Sequence, residues 1–144
     1  MCLVVDTCAI GDLFKTNSVN GAILREWIEN RRGKLVYTGN CLRASRSLKF
    51  KQYIDQLTKR GMAKYVSVSD ELVSATKHKI KSNDEKKMAL AIAANANVIY
   101  TFDALLSDDF MNDTIRDTSR CKVVGVDPID SYEMRRTYCA SDMR

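Results

Sequence analysis

Apolar residues fall into two alternating rhythms along this chain. Short unbroken runs, CLVV (2–5), KLVYT (34–38), VIYTF (98–102) and CKVVGV (121–126), are rich in β-branched and aromatic residues. They show little polar alternation, which predicts strands covered on both faces. Between them the period changes to 3.6. Ile23, Leu24, Trp27 and Ile28 stripe one face of segment 20–30, with Gly33 as the stop. Phe50, Tyr53, Ile54 and Leu57 keep the helical period up to Gly61, and KYVSV (64–68) is a brief extended piece. Ser69 is positioned to cap a helix carrying Leu72, Val73, Thr76 and Ile80. Segment 84–96, DEKKMALAIAANA, is apolar nearly all round after its first turn, the pattern of a helix wedged into a core. Asp103 opens a further helical turn with Leu105 and Leu106. Strands alternating with helices predict a three-layer α/β/α sandwich around a central, largely parallel sheet.

Composition narrows the class. The chain has 144 residues, 45% of them apolar, with one proline and six glycines, so a single domain over 1–144 without a long linker is expected. No run approaches 18 apolar residues, and no basic leader precedes an apolar stretch, so a soluble, cytoplasmic protein is expected. Five cysteines (2, 8, 41, 121 and 139) with no C-x-x-C spacing argue against a disulfide framework or zinc knuckle and suit a reducing compartment. Cys8 and Cys41 are read as small buried hydrophobes, reactive thiols being the alternative. His78, the single histidine, lies between Lys77 and Lys79 and is read as a surface residue. Trp27, Phe50 and Tyr53 sit at helical spacing and are assigned to the core rather than to base stacking.

Charge adds the chemistry. Residues 25–64 hold eleven basic side chains against three acidic ones, whereas 103–117 hold five aspartates against one arginine. A basic block beside an acidic cluster suits a polyanion held near bound cations, with a solvated helix face as the alternative. Two apolar strands also end on a carboxylate, CLVV at Asp6 and VIYTF at Asp103, and the core helix begins at Asp84. Each aspartate suits a helix cap when taken singly. In a parallel sheet, however, ligands bind beyond the strands' carboxyl ends. If the two strands are neighbours, Asp6 and Asp103 share an edge, and the core helix, running antiparallel, brings Asp84 back to it. Three carboxylates so packed repel one another unless a cation binds or some take a proton. Mg²⁺ or Mn²⁺ suits a few carboxylates completed by waters and phosphate. The reaction such a site would support is metal-assisted phosphodiester hydrolysis.

The same residues resemble the PIN-domain family of metal-dependent ribonucleases, common as the toxins of prokaryotic toxin–antitoxin pairs. LVVDTCAIGDLF is similar to that family's opening strand and its acid. Segment 82–110 resembles its acid-headed helix, small-residue end, β-branched strand and T-x-D at Thr101–Asp103, and VVGVDPIDSYE resembles its last strand and proline. The resemblance covers both ends and the last third of the chain; residues 15–82 match in element order only. It implies an endoribonuclease using Asp6, Asp84 and Asp103 with Mg²⁺ or Mn²⁺, Asp109 as a peripheral metal or water contact, and Thr101 beside the last acid. RNA is the implied partner, contacted by Arg43, Arg46, Lys49 and Thr101; a cognate inhibitor protein and a homodimer are further implied partners. The family's second acidic position should fall within TGNCLRASRSL (38–48), where no Asp or Glu stands and Arg43 or Ala44 occupies the expected place. Glu71 substitutes only if the middle of the chain folds unlike the family. The alternative is therefore a catalytically degenerate PIN-type fold that binds RNA or a protein partner without hydrolysis.

Overall fold

The computed structural model describes residues 1–39 and 46–138. Five strands form one sheet: β1 (Cys2–Val5), β2 (Lys34–Tyr37), β3 (Ala63–Tyr65), β4 (Val98–Tyr100) and β5 (Lys122–Val124). Their spatial order is β3-β2-β1-β4-β5, and every pairing is parallel. Among the described residues the helices are α1 (Ile10–Leu13), α2 (Val19–Glu29), α3 (Leu48–Lys59), α4 (Asp70–Lys77), α5 (Glu85–Ala94), α6 (Ala104–Phe110) and α7 (Ser131–Arg136), and a 3₁₀ turn spans Thr7–Ala9. The expected three-layer α/β/α sandwich is present, and the sheet is parallel throughout.

Alternate strand residues feed two cores. Leu3, Val5, Leu35, Val98, Tyr100 and Val124 pack against α1, α2, α3 and α7 through Leu13, Leu24, Trp27, Phe50, Leu57 and Met134. Val4, Val36 and Ile99 face the other way, onto Met88, Leu90 and Ala91 of α5 and onto Leu106 and Phe110 of α6. Burial on both faces is why these strands carry no alternation in sequence. Among the described residues no helix is long and apolar enough to cross a membrane.

Local chemistry sets the helix limits. Ser18, Ser47 and Ser69 accept backbone N–H bonds from Gly21, Phe50 and Leu72, capping α2, α3 and α4. At the other ends Arg31, Gly61 and Asn95 adopt left-handed φ values of 60°, 75° and 51°. The following amides of Arg32, Met62 and Ala96 then bond back to Trp27, Leu57 and Ala91 carbonyls, as in a Schellman stop. Gly33 is thus not the stop of α2. It lies under the Trp27 indole, where a Cβ would stand 2.0 Å from the ring.

The chain order β1-β2-β3 runs to one side of β1, and β4 and β5 then fill the other side. The direction reverses between β1 and β4, a switch point beyond whose carboxyl ends sheets of this kind form their ligand crevice.

Candidate active site

Asp6 and Thr101 meet at that crevice. The β1–β4 register pairs Val5 with Tyr100, and the Asp6 amide extends the ladder by donating to the Tyr100 carbonyl at 2.9 Å. The Asp6 carboxylate is 6% exposed. Its Oδ1 accepts the Thr7 amide at 2.8 Å; its Oδ2 accepts the Thr101 hydroxyl at 2.7 Å and the Cys8 thiol at 3.2 Å. These three donors fix one rotamer.

Thr101, 1% exposed, bridges the two strand ends, for its Oγ1 also accepts the Asp103 amide at 3.0 Å. Its hydroxyl is spent inside the protein, so it orients the acids and is not a surface contact for RNA, the role the sequence suggested. The ladder of β4 ends at Tyr100, and Phe102, expected inside the strand, is 40% exposed at the crevice rim. Asp103 caps α6 through Oδ1, which accepts the amides of Leu105 (2.9 Å) and Leu106 (3.2 Å).

Asp84 occupies the cap position of α5 yet makes no side-chain capping bond. Its carboxyl pKa is raised above the usual value, first by burial, then by the charges of Asp6 and Asp103 and by a hydrogen bond with Asp103, with Lys87 opposing. Asp6 and Asp103 thus lie near enough to Asp84 to raise its proton affinity, although the three segments are up to 97 positions apart in sequence. Lys87, which the sequence did not single out, donates to the Val5 carbonyl at 3.3 Å and brings a cation to the rim.

Cys8 corrects another expectation: its thiol is exposed rather than buried in the core. Burial of part of the side chain raises its pKa, and the neighbouring Asp6 carboxylate adds to the rise, against the Phe102 amide.

Asp109 stands apart from the crevice. It is 1% exposed, and its two carboxylate oxygens accept the amides of Lys81 and Ser82, each at 2.9 Å. It clamps the turn that leads to Asp84 and is no peripheral metal contact; the physical reason is that the buried carboxylate spends both oxygens on backbone donors. The other aspartates of 103–117 disperse: Asp108 and Asp113 are exposed, and Asp117 accepts the Ser119 amide and hydroxyl.

The basic block divides as well. Each helix runs antiparallel to its strands, so a segment covering helix, strand and helix visits both sheet edges. Arg46 and Lys49 lie just before and within the first turn of α3, beyond the carboxyl end of β2, with the Lys49 ammonium 5.1 Å from the Phe14 ring centre. Arg31, Lys34 and Lys64 instead line a cleft of about 390 Å³ at the amino ends of β1, β2 and β3. There the carboxyl ends of α2 and α3 favour cations without any ligand. Arg43, Ala44 and Cys41 lie outside the described residues, as does most of the stretch where the fourth acid was sought. Glu71 is exposed in the first turn of α4, after β3, which is two strands from β1.

Two polar groups, the half-buried Asp12 and the buried Asn20, brace the crevice without any sequence signal. Asp12 Oδ2 accepts the Ser18 hydroxyl at 2.8 Å and the Tyr100 hydroxyl. Asn20 donates to the Gly125 and Asp127 carbonyls at 2.8 Å each and accepts the Ile129 amide at 2.9 Å, fixing the turn after β5.

Among the described residues no group of three or more His, Cys, Asp or Glu side chains is already arranged as a metal cage. The donors on hand, carboxylate oxygens with Asp84 beside the charges of Asp6 and Asp103, fit a hard divalent cation that keeps several waters, the habit of Mg²⁺ and Mn²⁺. Compared with models of protein families, with curated proteins and with solved structures, the chain matches none.

Proposed function

We propose that this chain is a Mg²⁺- or Mn²⁺-dependent endoribonuclease of the PIN type. One observation carries the reading: Asp84 forgoes its helix cap, and its proton affinity is raised by burial and then by the charges of Asp6 and Asp103. Carboxylates that disfavour one another's charge at a sheet switch point are suited to a divalent cation. When bound, such a cation supplies a water of lowered pKa and a counter-charge for phosphate.

The chain's own residues would divide the rest. Asp6, held by Thr7, Cys8 and Thr101, is the most rigid ligand. Asp103 keeps one oxygen on its helix cap and offers the remainder of its carboxylate to the crevice. Asp84, with its raised proton affinity, is suited to hold or receive a proton from the attacking water. Lys87 at the rim, with Arg46 and Lys49 beyond β2, would attract the RNA backbone.

Asp6→Asn is expected to abolish Mn²⁺-dependent cleavage of single-stranded RNA while the circular dichroism spectrum at the assay temperature stays that of the folded wild type. Wild-type cleavage that EDTA leaves unchanged would sink the proposal.

A second reading is favoured by one fact: residues 38–48 contain no Asp or Glu. In it the fold binds RNA or a protein partner without hydrolysis. A thermal midpoint that does not move on titration with millimolar Mn²⁺ selects that reading. A cytoplasmic setting, a homodimer and a cognate inhibitor protein belong to the first reading as its expected context.

A further inference from the structure

A second cleft, of about 230 Å³, opens beside the acids, at the carboxyl ends of β2 and β3; Thr38, Tyr65, Ser67, Asp70, Val73 and Lys86 are among its lining residues. It shares α5 with the acid crevice: Lys86 lines the cleft, and its neighbour Lys87 touches the Val5 carbonyl beside Asp6. Extending the β1–β2 register brings Thr38 level with Asp6, one strand spacing of about 5 Å away.

Its size and chemistry narrow the occupant. Pockets for drug-sized ligands start at about 300 Å³, so this one suits a single ring system. Tyr65 is 55% exposed, yet its ring is braced edge-on against Tyr37, with centroids 5.7 Å apart. Tyr37 is in turn tied to the Thr58 hydroxyl at 3.3 Å. An exposed aromatic held in place at a strand end is a stacking surface for a base. Asp70, in the first turn of α4, supplies two acceptor oxygens, and Lys86 supplies donors.

Guanine alone among the four RNA bases presents two adjacent donors, N1–H and the N2 amino group, to a single carboxylate. It also offers O6 to a cation on the same edge. We propose that this cleft is a guanine-selective base subsite, taking a nucleotide next to the phosphate held at the acid crevice. Tyr65 would stack on the base, Asp70 would read N1–H and the N2 amino group, and Lys86 would reach O6. The proposal rests on the ribonuclease reading for its substrate class.

The test measures binding without hydrolysis. In EDTA, the full chain is titrated against labelled ten-residue oligouridylates carrying uridine, guanosine or inosine at one central position, followed by fluorescence anisotropy. Guanosine is expected to bind about tenfold tighter than uridine, with inosine, which lacks the N2 amino group, in between. Asp70→Asn should erase the guanosine preference, Tyr65→Ala should weaken guanosine binding about tenfold, and Tyr65→Phe should retain it. Equal affinities for the three RNAs, no binding of any, or a preference that survives Asp70→Asn would each overturn the proposal. Guanosine preference without Mn²⁺-dependent cleavage overturns the nuclease reading and leaves the base subsite standing; cleavage without preference does the reverse.

Discussion

Asp109 separates two roles for a buried acid by a single substitution. Its carboxylate accepts the Lys81 and Ser82 amides, each at 2.9 Å, in a site 1% exposed. Asp109→Ala removes both acceptors and orphans two amides. Each orphaned donor costs about 1–3 kcal/mol, so the variant should lose about 2–6 kcal/mol. At about 2.1 cal/mol/K per residue, unfolding of a chain of this length carries an entropy of about 0.3 kcal/mol/K. The midpoint should therefore fall by about 7–20 °C.

The assay is thermal denaturation followed by far-UV circular dichroism, in EDTA and again with Mn²⁺. A clamp lowers the midpoint by the same amount in both conditions. A metal ligand would leave the EDTA midpoint in place and diminish only the gain on adding Mn²⁺. An EDTA midpoint within about 2 °C of wild type would refute the clamp, since the two lost bonds would then be worth under 1 kcal/mol.

Two further outcomes follow from the packing and the charges. Gly21→Ala would set a Cβ 2.6 Å from the Asp12 carbonyl oxygen and 2.8 Å from that of Leu13, both backbone, where α1 meets α2. A loss of about 1–3 kcal/mol is expected, read as a lower urea midpoint at unchanged slope, and an unchanged midpoint would contradict the close approach. For Asp84, a raised folded pKa means that the folded chain binds the proton more tightly than the unfolded one. Its contribution is most favourable below the unfolded carboxylate value of 3.8 and declines as pH rises through the raised folded value. Asp84→Asn should accordingly be more stable than wild type at pH 7 in EDTA, with the advantage vanishing in acid; a less stable variant at pH 7 would contradict the mutual repulsion.

Local rules in the sequence carried much of the fold. The alternation of apolar runs with helical stripes gave the sandwich, because burial on one or both faces imposes a period that can be read along the chain. Ser69 was legible as a cap, and the left-handed Gly61 as a helix stop, since both act within a few residues of themselves. The acid trio was legible for a different reason. Asp6 and Asp103 follow buried parallel strands and Asp84 heads the core helix, so topology directs all three to one edge.

The tertiary structure decided what local spacing does not encode. An aspartate has the same side chain whether it caps, clamps or gathers with others. Only the packing of α6 against the turn before α5 made Asp109 a clamp, and only the fold left Asp84 without a capping bond and beside the charges of Asp6 and Asp103. The antiparallel run of helices over strands divided a basic block that is continuous in sequence between two opposite edges. Cys8 and Phe102, apolar by composition, became rim residues because the chain leaves the ladder at Asp6 and Thr101. Periodicity in the sequence thus determined which faces are buried, while the strand order β3-β2-β1-β4-β5 decided which side chains meet at the crevice. Its central pairing, β1 with β4, joins residues 95 positions apart, beyond the reach of any local pattern.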